Sequence, residues 1–457
     1  MDLQLPSLVL RTIAERLIED LEDPDVRQET ISTLCSLRLT CQELAEMWTI
    51  RAALFEELNL HATNDNLSRL RQTNIAKAFA PFVRSIRFYA SPFSSDVDFQ
   101  HFRLILFVQS VFEREPEKCH VCDYNPYENS GGRVLDLSVQ EGHSRYAAYK
   151  TRTQDDANLI TNGTLQCAWT SALSAFNRLE SICLGSVTDT CEAGSFSLQR
   201  GVFPSRRDCC GSSQSFLSEL LFTPGDLLAS AVAQCLISSR RSLKSLTFGF
   251  ELPITQAPKY WDSVSLEGLQ ELSFRPLPPP AWEEPRDEEE PGDEEEERYD
   301  TVWAKTMLET SHSTLRSFEL VQNHRYGEIF YWDRIAIAKF NFLYLRRLRL
   351  DGVDFSSARL AADILRFEAL TWIEISHSQP SGEVHQWKII FDAIRQRPTP
   401  LHLRFHENYP GKRINAVCFD TSHEVHSAPS PIEWSLGRYL SNKGDWNTTL
   451  AACFGWS

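Results

Sequence analysis

The side chains best suited to chemistry are cysteines and histidines. Cys119-x-x-Cys122, with His120 between them and His143 beyond, has the spacing of one ligand pair of a structural zinc site. A tetrahedral zinc needs a second pair. The other close pairs are Cys209-Cys210, whose adjacency is awkward, and His423-x-x-His426, far along the chain. Two ordinary thiols are therefore the expectation at 119 and 122, with no metal and no cofactor. No GxSxG elbow, Walker loop or GxGxxG is present, and His423-Glu-Val-His426 is one residue short of HExxH. Ser, His and Asp occur throughout, but no local spacing couples them. The expectation is a protein without catalytic residues, which works by binding.

The side chains best suited to binding are Arg347, Arg349 and Trp372, since Arg and Trp are the types enriched where partners are held. What positions them is a repeated kernel, L-x-x-L-x-L with aromatics and Ile allowed. It reads Leu243-Lys-Ser-Leu246-Thr-Phe248, Leu269-Gln-Glu-Leu272-Ser-Phe274, Leu315-Arg-Ser-Phe318-Glu-Leu320, Leu345-Arg-Arg-Leu348-Arg-Leu350 and Leu370-Thr-Trp-Ile373-Glu-Ile375. Successive copies begin 26, 46, 30 and 25 residues apart. Earlier copies start at Val83 and Leu179, and a weaker one follows at Leu401. Alternation within the kernel predicts a short strand with one buried face. Helical patterns lie between, over 227–238, 303–309, 334–342, 360–367 and 387–395. One strand and one helix cannot bury their own apolar faces, but stacked parallel copies can, and this period is that of leucine-rich repeats. The residues between the buried ones then share a surface. Arg275, Arg347, Arg349, Asp351, Trp372, Glu374, His402 and Arg404 are its candidate substrate-binding residues. An acidic or phosphorylated protein is the partner that such arginines would fork onto.

The chain has 457 residues, 42% of them hydrophobic, so wholesale disorder is excluded. Its 46 Lys and Arg against 62 Asp and Glu give −16, which argues against nucleic acid as a partner. No apolar run is long enough for a membrane span. Asp2 stands where a secretory leader would carry a basic residue, and the twelve Cys form no dense framework. A cytoplasmic or nuclear, reducing location is expected. Glu283–Glu297 holds eleven acids and one Arg, a net −10, and reads as a solvated insertion behind the stiff Pro276-Leu-Pro-Pro-Pro280. Further irregular insertions are expected at 113–165 and 189–215, with the acidic one spanning 276–300. The tail 426–457, with Trp434, Trp446 and Trp456, reads as a cap on the last repeat.

Residues 1–60 differ in kind. Leu5, Val9, Ile13, Leu17 and Leu21 recur every fourth residue, with Leu10 and Ile18 beside them, predicting a helix with Pro6 in its first turn. Asp23-Pro24 suits the start of a second helix, and Thr40-Cys-Gln-Glu43 a capping box for a third, running toward Leu58. Three short helices leave apolar surface for a partner. The run Leu5-Pro6, Leu10, Ile13, Leu37-Arg-Leu39-Thr-Cys41 and Leu54-Phe-Glu-Glu-Leu58-Asn-Leu60 resembles a degenerate F-box of the filamentous-fungal kind. An F-box followed by leucine-rich repeats is a known architecture. The resemblance implies that Leu5, Pro6, Leu10, Ile13, Leu17, Leu37, Leu39, Cys41 and Leu44 dock on the Skp-type adaptor of a cullin–RING ubiquitin ligase. The repeats of 61–425 would then hold a protein substrate.

The expected architecture is thus α/β: an F-box-like three-helix module at 1–60, an irregular parallel-stranded leucine-rich-repeat solenoid, and a cap. The expected function is that of a substrate receptor, monomeric within its ligase complex. Two alternatives stand beside it: a repeat scaffold without ligase association, and a zinc-binding or enzymatic protein centred on 101–145.

Overall fold

The computed structural model describes residues 7–20, 26–40, 42–72, 79–89, 98–99, 102, 139–185, 225–253, 258–277, 302–322, 330–335, 337–378, 380–381, 386–409, 412–420, 431–441, 443–448 and 450. The fold is α/β. Its centre is one ten-stranded sheet whose strands lie side by side in chain order. They are β1 (Glu57–His61), β2 (Ser85–Tyr89), β3 (Ser181–Gly185), β4 (Ser245–Pro253), β5 (Glu271–Leu277), β6 (Ser317–Val321), β8 (Arg347–Asp351), β10 (Trp372–Ser376), β12 (His402–Tyr409) and β13 (Lys412–Asp420). The first nine are parallel, and β13 turns back antiparallel on β12. The expectation of parallel strands throughout is corrected at this last hairpin. A small three-stranded sheet joins β7 (Phe330–Tyr331), β9 (Val353–Ser356) and β11 (Pro380–Ser381).

Every kernel read from the sequence is a strand. Its Leu, Ile and Phe side chains are buried: Leu246 and Phe248 are fully so, as are Phe318 and Leu320, Leu348 and Leu350, and Ile373 and Ile375. The intervening residues stand at least partly open on the opposite face, with Glu374 the buried exception. Register follows from one backbone motif. The carbonyl just before each strand of the large sheet from β1 to β8 accepts two N–H groups at the start of the next, and that of Thr371, before β10, accepts one from His402. Glu56 O takes Arg84 and Ser85, Arg84 O takes Glu180 and Ser181, and Glu180 O takes Lys244 and Ser245. Lys244, Gln270, Arg316 and Arg346 continue the series with distances of 2.7–2.9 Å.

The apolar face is covered by helices α7 (Thr164–Ala175), α8 (Gly225–Ser239), α9 (Val302–Ser311), α10 (Ser357–Arg366) and α11 (Gln386–Gln396), all contributing to one core. Their buried residues recur at helical spacing, as in Trp387, Ile390, Phe391 and Ile394 of α11. Arginines finish two of these helices. Buried Arg397, just past α11, donates to the carbonyls of Ile364, Phe367 (2.9 Å), Glu368 (3.2 Å) and Leu370 (2.7 Å) at the end of α10. Arg241 does the same for Leu173 and Ser174 of α7, at 3.2 and 2.8 Å. A cation there meets orphan carbonyls and the negative end of the helix dipole.

The N-terminal helices α1 (Ser7–Glu19), α2 (Arg27–Thr40), α3 (Gln42–Glu46) and α4 (Trp48–Phe55) have their own small core of Ala14, Leu34, Leu44 and Ile50. The expected third helix is two. Met47 is extended (φ −60, ψ 120), and Arg51 Nε takes up the Ala45 carbonyl at 2.8 Å. Leu58 and Leu60, read as the close of that helical module, lie on β1, so the sheet begins before residue 60. Trp48–Phe82 and Phe55–Phe79 contacts, at 4.4 and 4.2 Å, join the helices to the sheet. Two other helical expectations change. Residues 334–342 form two short 3-10 turns, Trp332–Ile335 and Ile337–Lys339, because Trp332, Ile335, Ile337, Phe340 and Phe342 are all buried and no single helix face holds that spacing. The segment 113–165 was expected to be irregular, but contains α6 (Val139–Thr161). Residues 113–138, 189–215 and 283–297 lie outside the described residues, as does the capping residue Asp23 with Pro24. In the tail, α12 (Pro431–Leu440) packs on α11, with Trp446 6.2 Å from Phe391. Trp434's side chain and Trp456 lie outside the described residues.

At the first strands, His61 stacks on Tyr89 at 4.7 Å, and Gly185 follows in the same row. A Cβ at Gly185 would fall 2.3 Å from the Tyr89 ring, so this row closes only on glycine. Burial pushes the His61 imidazole down to about 3. Its folded value lies below the ordinary one near 6.5, so protonation favours the unfolded chain. The His61 contribution is whole above that ordinary value and falls by about 1.4 kcal/mol per pH unit below it. Urea titrations at pH 7.5 and 5.5 check this: His61→Phe is expected to lose that part of the acid sensitivity. Arg397→Met removes a donor from four carbonyls, of which Phe367 O keeps the Leu370 N–H, and is expected to cost about 3 kcal/mol in the same assay.

Candidate binding face

The face of the sheet opposite the apolar core is ordered into rows by the register. One row runs Ser245, Glu271, Ser317, Arg347, Trp372, His402. The next runs Thr247, Ser273, Glu319, Arg349, Glu374, Arg404. A third places Asp351 beside Val321 and Ser376. Seven of the eight residues expected to bind a substrate, Arg347, Arg349, Asp351, Trp372, Glu374, His402 and Arg404, therefore meet on three adjacent strands. Arg275 lies on β5, with β6 between it and the rest.

These side chains hold one another. The Arg347 guanidinium lies over the Trp372 ring at 4.2 Å and 3.8 Å from Glu319. The His402 ring runs parallel to Trp372, 6.4 Å away at 6°. Arg349 spans two acids, 3.0 Å to Asp351 and 3.5 Å to Glu374. Arg404 reaches the other Glu374 oxygen at 3.8 Å. Glu374 is only 5% exposed, and two guanidinium groups compensate its burial. Arg347, Arg349 and Arg404 are thus balanced by Glu319, Asp351 and Glu374. The patch whose arginines were expected to fork onto an acidic or phosphorylated partner is a charge-neutral lattice with a flat aromatic–cation row on top.

His377 is the residue that sequence reasoning missed. Its Nδ1 is 2.8 Å from Asp351 Oδ1, and its backbone has φ 51. Nothing in the kernel pattern marks it, because it lies just past the strand. Glu319 was legible as a row member, but not as the partner of Arg347.

The N-terminal candidates divide. Leu5, Pro6 and Cys41 lie outside the described residues, and the side chain of Leu10 is not described. Ile13 is 39% exposed and Leu39 83%, while Leu17 and Leu37 pack at the edge of the small core. Leu44, expected to meet the adaptor, is buried in that core and serves the module's own folding. Trp48, 56% exposed, adds to the open apolar surface.

For the metal expectation, Cys119, His120, Cys122, Cys209, Cys210, His423 and His426 all lie outside the described residues. His143 is on α6, its ring stacked on Phe99 at 4.1 Å. Among the described residues no group of three metal-ligating side chains occurs, and Cys35, Cys167, Cys183 and Cys235 are not in disulfides. Burial pushes the Cys235 thiol up to about 11, which leaves it a poor nucleophile. Among the described residues no helix is long and apolar enough to cross a membrane. Compared with known proteins, the chain matches no family model and no curated sequence.

Glu374 anchors the lattice. Glu374→Ala leaves Arg349 and Arg404 without their shared acid and is expected to destabilise the chain by about 2 kcal/mol, less than for a fully buried pair because both arginines reach solvent. A urea midpoint measured beside that of Glu319→Ala, whose partner is more exposed and whose expected effect is under about 1 kcal/mol, checks the ranking.

Proposed function

We propose that this chain is a binding receptor: its N-terminal helices dock on a Skp-type adaptor of a cullin–RING ubiquitin ligase, and its parallel sheet, read as a degenerate leucine-rich-repeat array, holds a protein substrate. The observation that carries the reading is the exposure of Ile13, Leu39 and Trp48 on a helical unit whose own core is very small. Large apolar side chains left open on such a unit call for a covering partner. The F-box resemblance of residues 1–60 supplies the identity of that partner. The second support is the sheet itself. Nine parallel strands in chain order carry one set of outward side chains that their register fixes in rows before any partner arrives.

On this reading the chain does no bond-making. Adaptor docking fixes one end, substrate binding the other, and the effective concentration of substrate lysines near a charged conjugating enzyme does the rest. Transfer chemistry belongs to the partners.

The test is capture of the full chain by immobilised Skp-type adaptor, with Ile13→Asp, Leu39→Asp as the comparison. Both positions are exposed, so the variant is expected to keep its circular dichroism spectrum. Two apolar contacts exchanged for charges are expected to weaken capture more than about a hundredfold. A well-folded wild type that the adaptor ignores would instead favour a repeat scaffold with no ligase association.

A further inference from the structure

The carbonyl that opens each strand also sets a row of side chains along the entry edge of the sheet. In order these are Glu56, Arg84, Glu180, Lys244, Gln270, Arg316 and Arg346. Neighbours in this row can reach one another. Arg84 meets Glu56 at 3.7 Å, and Lys244 meets Glu180 at 2.7 Å. The row thus begins as alternating acid and base, each base satisfied by the acid before it.

After Lys244 the alternation fails: Gln270 is uncharged, and Arg316 and Arg346 follow one another with no acid between them. Arg346 N donates to Arg316 O at 2.8 Å, which sets the two arginines side by side as Arg84 is beside Glu56. Both are exposed, and neither guanidinium has an ion pair or side-chain hydrogen bond among the described residues. Like charges in such a position repel and destabilise. Arg347 adds a third guanidinium, 48% exposed and only 3.8 Å from its one acid. Immediately before Arg346, Leu343 and Tyr344 are 57% and 56% exposed.

We propose that this edge, Arg316, Arg346 and Arg347 with Leu343 and Tyr344, is a docking site for a carboxylate-rich peptide segment of a protein partner. The row itself indicates the chemistry. Wherever a base in it or beside it is satisfied, a glutamate does so: Glu56, Glu180 and Glu319. An incoming carboxylate between Arg316 and Arg346 restores the alternation and removes their repulsion. The exposed Leu343 and Tyr344 supply apolar area next to the charges, and Tyr is a favoured anchor type. This moves the acid-binding function from the centre of the sheet, where Arg349 and Arg404 are already engaged, to its entry edge. It rests on the reading of the sheet as the partner-binding part of the chain.

Fluorescence anisotropy of a labelled octaglutamate peptide with the full chain tests it. An octaglutamine peptide and a neutral peptide carrying one phosphoserine are run beside it. Octaglutamate is expected to bind, octaglutamine not, and binding is expected to weaken with salt. Arg316→Glu, Arg346→Glu is expected to bind about tenfold or more weakly. An Arg240→Glu, Lys259→Glu variant makes the same charge change at other exposed positions and is expected to bind as wild type. Unchanged binding by the first variant, an equal loss in the second, or capture of the phosphoserine peptide alone would each overturn the proposal. Adaptor capture, measured on the same variants, is expected to be unaffected. A wild type that ignores octaglutamate but is captured by the adaptor therefore sinks only this site, and a wild type that binds octaglutamate but is not captured by the adaptor sinks only the ligase reading.

Discussion

One shared carbonyl oxygen per strand is the constraint on which the rest of the sheet depends. By accepting two N–H groups from the next strand, it sets where that strand starts, to the residue. Side chains in a strand alternate between faces, so a start displaced by one residue would turn Leu348 and Leu350 outward and Arg347 and Arg349 into the core. The hydrophobic pattern and the carbonyl motif therefore enforce the same register independently. The arginines and hydroxyls at the helix ends add a third restraint. Arg397, Arg241 and Thr314 each bond carbonyls of the preceding unit, joining successive units.

The strands were legible because their signal is local and strong. Three apolar residues within six, repeated at near-constant spacing, leave little else for kernels such as Leu315–Leu320 to be. The first strand was missed although Phe55-Glu-Glu-Leu58-Asn-Leu60 carries the same spacing. It follows directly on a helix, and its residues also fitted the end of a helical module. The stretch 334–342 misled for the opposite reason: its aromatic and aliphatic residues are too dense for one helix face, and density was read as periodicity.

The membership of the binding face was legible, but its electrostatics were not. Which residues alternate outward follows from the kernel. Which acid meets which base depends on pairing between residues in different units, such as Glu319 with Arg347 and Glu374 with Arg404. Expecting Arg347 and Arg349 to fork onto an acidic partner treated each strand alone. Asp351 is in the same strand as Arg349, but only the register brings Glu319 and Glu374 among them and cancels the remaining charge. The same register leaves Arg316 and Arg346 together at the edge, a juxtaposition invisible to any reading of one unit at a time.

The connection from β2 to β3 runs from residue 89 to 181, and that from β8 to β10 only from 351 to 372, yet both pairs of strands meet in the same register. Sheet geometry is thus uncoupled from the length of chain between strands. Closure entropy grows only with the logarithm of that length, so long connections are inexpensive to keep. The chain behaves as a rack whose slots are fixed and whose cables vary. Lineages descended from it are free to lengthen, trim or replace what hangs between two strands, gaining new modules there, while the rows of the face retain their spacing.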